Sequence, residues 1–418
     1  MRIALPTAAQ RRDVPVLALF LVTSVVIAFV AGFGLGWWLI LAQAFGVPMP
    51  AGGWGVVVQV HGHLQLMGFA GLLVMGIGYR LMPRFRGAPE PARRVVVATY
   101  LLVVAGVALR VAQLAEPSAA RSALLFLSGA LEVAGATVYA TTTIRTLAAG
   151  DNAHRADELL MAGGAAWLPI AAAWSLVSLD PLLHGGALAA ADADAAAVAA
   201  FLVGVVGGHI LGVSVRLNSG FIAAKLVPDG VLLAATALWM VGTFLVVIRA
   251  GAGAPLLLVA AVLLFATVGV VGRSRAARPL PEHARVTLLA WRAAYVWLVI
   301  GLALLVVDAL TPGGADRFLV AGRHALAIGF LGSMAYGVGA RLLPTLSGGP
   351  ALPASAVRGA VILTNIAAAL RALVELAGPS STPAAIALAL SGPVGLASIL
   401  VFAAAAVRTV RPALRSFA

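Results

Sequence analysis

Cysteine is missing from this chain, which excludes disulfides, thiolate metal sites and iron–sulfur clusters. Charge is nearly as scarce: Asp, Glu, Lys and Arg make up only 10% of 418 residues. That excludes the two or three soluble domains such a length would otherwise allow. What remains is apolar, with 62% hydrophobic residues and a mean hydropathy of +1.04. Uncharged runs such as "VPVLALFLVTSVVIAFVAGFGLGWWLILA" exceed the roughly 20 residues needed to cross a bilayer. The expected class is all-α, a polytopic membrane protein.

Acidic residues are few, 15 against 28 Lys+Arg, for a formal net charge of +13. The arginines lie in short loops between apolar runs, so the excess points to membrane topology rather than nucleic acid. The apolar run after "QRRDVP" is too long for a cleavable signal and lacks a small-residue cleavage pattern, so it reads as the first span.

Runs bounded by Pro, Gly or charge predict twelve spans, near 14–44, 54–82, 95–115, 121–146, 158–180, 195–221, 229–249, 254–272, 286–310, 318–344, 354–377 and 383–409. With the N-terminus inside, 18 of the loop Lys+Arg fall on the inner side and 4 on the outer. Both termini are therefore expected to be cytoplasmic. Arg80, Arg216, Arg292 and Arg341 are expected to snorkel to the inner interface, while Arg110 and Arg371 lie toward the outer ends of their helices.

The chain repeats itself. Residues 63–87, "HLQLMGFAGLLVMGIGYRLMPRFRG", align without gaps to 324–348, "HALAIGFLGSMAYGVGARLLPTLSG", at an offset of 261 with 10 of 25 identities. His63 matches His324, and Arg80 and Pro83 match Arg341 and Pro344. The same offset carries Arg110 onto Arg371. A weaker middle copy, "LGVSVRLNSGF" at 211–221, aligns with residues 136 before and 125 after it. Spans 2, 6 and 10 then correspond, within one transmembrane domain (1–418) of three four-helix units near 14–147, 158–274 and 285–410. The copies run in one direction, unlike the inverted repeats common in transporters.

Of seven histidines, His154, His184 and His283 fall in loops, where a solvated surface role is the plain reading. His61, His63, His209 and His324 are intramembrane, where an imidazole needs a partner, a cavity or a metal. Helix–helix hydrogen bonding would satisfy a lone one. His63 and His324, at repeat-equivalent positions, also suit a bis-imidazole heme. Heme propionates would want cations near the outer surface, where Arg110 and Arg371 stand; ion pairs with Glu116 and Glu375 are the simpler alternative. His61 lies about 200° around the helix from His63 and cannot face the same ligand, while Gln65 shares its face. Glu132 and Asp308 are intramembrane acids, suited to helix–helix hydrogen bonds or proton movement.

The second span, "VHGHLQLMGF…GIGYRLMP", resembles the heme-ligating second helix of heme–copper oxidase subunit I, with its "HG" and terminal "GGFGNWLVP". The tenth, ending "ARLLPTLSG", resembles that family's "HWFPLFSG", and His324 stands 20 residues before Pro344, as the family's low-spin heme ligand does. Twelve helices in three pseudo-threefold arcs of four is the arrangement this resemblance implies. A closer match is the NnrS family, twelve-helix heme- and copper-containing membrane proteins linked to nitric oxide stress. Its "HAHEMLFGF" and "HAL..G..G" are similar to "HGHLQLMGF" and "HALAIGFLG" here. The oxidase pattern is broken where Gly322 replaces the high-spin heme histidine, where span 7 lacks the copper-binding histidine pair, and where Val213 replaces a tyrosine four residues after His209. One histidine cannot make that kind of copper site, and oxygen reduction to water is not expected.

The resemblance implies a bacterial cytoplasmic-membrane protein with one b-type heme, held by His324 and by His63 or His61. His209, and whichever of His61 and His63 does not hold that heme, would be open to copper or a second heme. The role would be nitric oxide handling or associated electron transfer, with membrane lipid around it and a periplasmic or membrane electron donor. A divergent oxidase or nitric oxide reductase subunit, and a cofactor-free transporter or channel, are the competing readings.

Overall fold

A computed structural model describes residues 14–49, 53–153, 155–270, 279–311, 316–378 and 381–415. His154 lies outside them, as do Arg2, Arg11, Arg12, Arg273, Arg275 and Arg278. Among the described residues all regular structure is helical, as hydrocarbon demands of a backbone that must satisfy its own hydrogen bonds.

Among the described residues, eleven helices are long and apolar enough to cross a membrane: α1 (Ala18–Phe45), α2 (Gly53–Arg86), α3 (Arg93–Leu114), α4 (Ala119–Ala149), α5 (Asp157–Ser178), α6 (Ala191–Ile222), α7 (Asp229–Val247), α9 (Glu282–Leu310), α10 (Arg317–Thr345), α11 (Ala354–Ala377) and α12 (Thr382–Arg411). Between α7 and α9 runs the shorter apolar α8 (Gly253–Thr267). The expected eighth span therefore differs from the rest: its helix has 15 residues, about 22 Å at 1.5 Å per residue, short of a ~30 Å hydrocarbon core. Gly269, at φ +83°, follows its end and turns the chain.

The chain divides into two compact units. The first holds Leu19–His209 and Thr243–Ala250; the second holds Ile210–Gly242, Gly251–Ala418 and the N-terminal residues to Ala18.

α2, α6 and α10 are the most buried spans, at 72%, 83% and 56% of residues in their most apolar stretch, against 22% for α1 and 28% for α3. All three also leave α-helical geometry at one place. π-helical turns occupy Leu64–Gly71, Ala200–Gly207 and Ala325–Gly332, and a fourth interrupts α1 at Ala28–Gly34. Well under 1% of residues are ordinarily π-helical, and such turns concentrate at functional sites. The segments in α2, α6 and α10 are spaced by 136 and 125 residues, the offsets of the sequence repeat. Gly204 and Gly207 thereby align with Gly68 and Gly71, and with Gly329 and Gly332. This extends the middle copy toward its N-terminus beyond what identity at 211–221 suggested.

In each copy of the repeat the first of these glycines receives a large side chain from the preceding helix. Ile27 of α1 lies against Gly68, Trp167 of α5 against Gly204, and Trp297 of α9 against Gly329. Small residues let helices approach closely where no hydrophobic effect drives association. α2 and α10 also end alike, through Pro83 and Pro344 to Gly87 and Gly348 in the left-handed conformation (φ +67° and +68°). The N–H of Gly348 closes onto the Pro344 carbonyl at 2.9 Å.

Candidate functional site

In the first unit, α2 presents its two histidines to different neighbours. His61 packs on α1, where a Cβ at Gly36 would come 2.8 Å from its Cε1. One turn earlier on α1, Gly32 receives Gln65, so His61 and Gln65 do share a face. His63 turns to α4 and α5. Its Nε2–H donates to Glu132 Oε1 at 2.8 Å, and its Nδ1 accepts from the Ser175 hydroxyl at 3.3 Å. Glu132 is fully buried and fits against Gly106 of α3. The helix–helix hydrogen bond expected of Glu132 is thus made, and its partner is a candidate heme ligand. Asp308, the other intramembrane acid, is half-buried near the end of α9.

Arg110 and Arg371 differ sharply. In the second unit Arg371 donates to Glu375 at 2.6 Å, one turn along α11, which is the simple ion pair. In the first unit Arg110 is 1% exposed, and neither its Nε nor its Nη1 has a hydrogen-bond partner. Glu116 is exposed and makes no pair with it. The charges acting on Arg110 are those of Glu132 and Asp194. A buried unpaired donor costs about 1–3 kcal/mol.

His324 of α10 donates Nδ1–H to the Val320 carbonyl at 2.8 Å. In the neutral ring that leaves the lone pair on Nε2, the arrangement of a metal-bound histidine oriented by a backbone carbonyl. His209 uses the same bond, Nδ1–H to Val205 O at 2.9 Å, but its Nε2 accepts from the Tyr139 hydroxyl at 3.0 Å.

These donors fit heme and copper unequally. For heme, His324 has the ligating tautomer, His61 sits in a glycine notch, and Arg110 carries orphaned N–H groups that suit a carboxylate. For copper at His209 the fit fails: both ring nitrogens are in hydrogen bonds, and no group of three or more His, Cys, Asp or Glu able to hold a metal occurs among the described residues.

Two of the other intramembrane arginines have defined partners. Arg80 is 4% exposed and ion-paired with Glu90, and the Arg341 guanidinium lies 5.3 Å from the Phe221 ring centre. Of the loop histidines, His184 is exposed beside Asp180, and His283 is exposed. Sequence reasoning passed over Gln59, Gln113, Ser175 and Tyr139. Gln59 had a signal, a lone amide one turn before His63 in an apolar run; Ser175 and Tyr139 had none.

Among curated proteins no sequence matches the chain. The family described as NnrS protein matches residues 17–414, nearly its whole length, from the first span to the last. The chain therefore belongs to the NnrS family and is, by its helices, a multi-pass membrane protein.

Proposed function

We propose that this protein binds a b-type heme in the bacterial cytoplasmic membrane and acts in nitric oxide handling or in electron transfer tied to it. The observation that supports the reading is His324: it stands at the repeat position matching His63, with Nδ1–H fixed on the Val320 carbonyl, the bond that orients a histidine for ligation through Nε2. Of the two α2 histidines we assign ligation to His61. His63 has both nitrogens engaged, by Glu132 and Ser175, and ligation through Nε2 would have to break the stronger of those bonds.

When bound, such a heme supplies one-electron chemistry at iron. The chain's own contributions are orientation and charge. The Val320 carbonyl fixes the His324 ring, Gly36 makes room for His61, and the buried Arg110 supplies positive charge. Arg371 is answered by Glu375 and is not needed for that task. Electrons would come from a periplasmic or membrane donor. Purified protein should show a Soret band that His324→Ala removes; a folded His324→Ala variant with full heme content would overturn the assignment.

A further inference from the structure

Four buried side-chain polar atoms on α3 and α4 of the first unit have no hydrogen-bond partner. They are Arg110 Nε and Nη1, Gln113 Oε1 and Glu132 Oε2, on side chains whose residues are 1%, 2% and 0% exposed. Buried polar groups are almost always paired, and each exception calls for a cause.

The helices set these atoms in order. On α2, Gln59 stands one turn before His63. On α3, Gly106, Arg110 and Gln113 fall on successive turns. Gly106 touches Glu132, the partner of His63. At the other end Gln113 Nε2 donates to Gln59 Oε1 at 2.8 Å. Gln59 in turn holds the segment before α6, accepting from Ala189 N at 3.0 Å and donating to Ala189 O at 3.2 Å. Arg110 occupies the turn between these two contacts. It is acted on by the charge of Glu132 yet forms no ion pair with it. These contacts thus bring two unpaired donors and two unpaired acceptors into one neighbourhood. A molecule that both donates and accepts, and is small enough for a close-packed interior, completes all four. Water does so, needing two to four polar partners.

We propose that α2, α3 and α4 enclose a water-filled inlet running from the Gln59–Gln113 amide pair, past Arg110, to the His63–Glu132 pair. Its ligand is water, and with it the protons that water carries. The glutamine pair and the Ala189 segment form its mouth. His209 marks the contrast: in the same unit and 3% exposed, it is enclosed by Val205 and Tyr139, with both ring nitrogens paired.

The inlet does not rest on the heme reading, and its test needs no heme. In hydroxyl-radical footprinting of the unaltered protein in nanodiscs, His63 should be oxidised several-fold faster than His209. The absence of native cysteine allows a second reading by single substitution. Gln59→Cys, Gln113→Cys and Ser175→Cys should be capped by Ag+ at least about tenfold faster than the dry controls Val103→Cys and Leu125→Cys, since thiol reaction follows access. Capping is scored as protection from later maleimide labelling in denaturant. Equal protection of the two histidines, or inlet thiols no faster than the controls, overturns the proposal.

Discussion

The first and third copies of the repeat carry the same residues and use them differently. On α2, His63 is tied on both nitrogens by Glu132 and Ser175, and Arg110 on α3 is left with unpaired donors. On α10, His324 is tied on Nδ1 by its own helix, and Arg371 on α11 is neutralised one turn away by Glu375. Identity at an aligned position therefore does not carry identity of role. The partner decides, and the partner comes from another helix. In the first copy the acid that could have answered the arginine holds the histidine instead. The second copy keeps the π-helical turn and its glycines but has Ala199 where the others have histidine.

Six substitutions probe that difference, each read as a change in unfolding free energy in mixed micelles. The largest effect is expected at the glycine notch. Gly329→Ala drives a Cβ into the Trp297 ring, which is too large to step aside, and should cost about 1–3 kcal/mol. Gly62→Ala, where a Cβ meets nothing within 4 Å, should cost nothing measurable; equal effects would mean the notch is not packed as described. Next, Glu132→Leu strands the His63 N–H and should destabilise by about 1–2 kcal/mol, with Glu132→Gln milder because it keeps an acceptor. Identical losses from Leu and Gln would deny the hydrogen bond its part. Glu375→Gln makes the third copy resemble the first by unpairing Arg371, at about 1 kcal/mol or less. Ser175→Ala, which removes only the 3.3 Å contact, should cost about 0.6 kcal/mol.

Much of this was legible in the sequence. Apolar length gave the spans, because a bilayer imposes one on any crossing helix. The repeat was visible because glycine, proline and arginine each answer a local demand: close approach, a helix end, an interfacial charge. The opposed faces of His61 and His63 followed from helical rotation alone. The contact between His63 and Glu132 did not, since 69 residues and the whole of α3 separate the two, and only the rotation of α4 against α2 decides it. Nor did the π-helical turns, which depend on how a neighbouring helix crosses. The helix of the expected eighth span stops at Thr267, short of residue 272, although apolar composition persists past that point.

The claim at the centre of the account is that the third copy ligates heme through His324 while the first holds His63 back. It is tested most directly by reduced-minus-oxidised difference spectra of the purified wild type, His324→Ala and His63→Gln, the last keeping an amide for Glu132. The account predicts a b-type spectrum in wild type, its loss in His324→Ala, and its retention in His63→Gln. A spectrum unchanged in His324→Ala, or abolished in a folded His63→Gln, would contradict it.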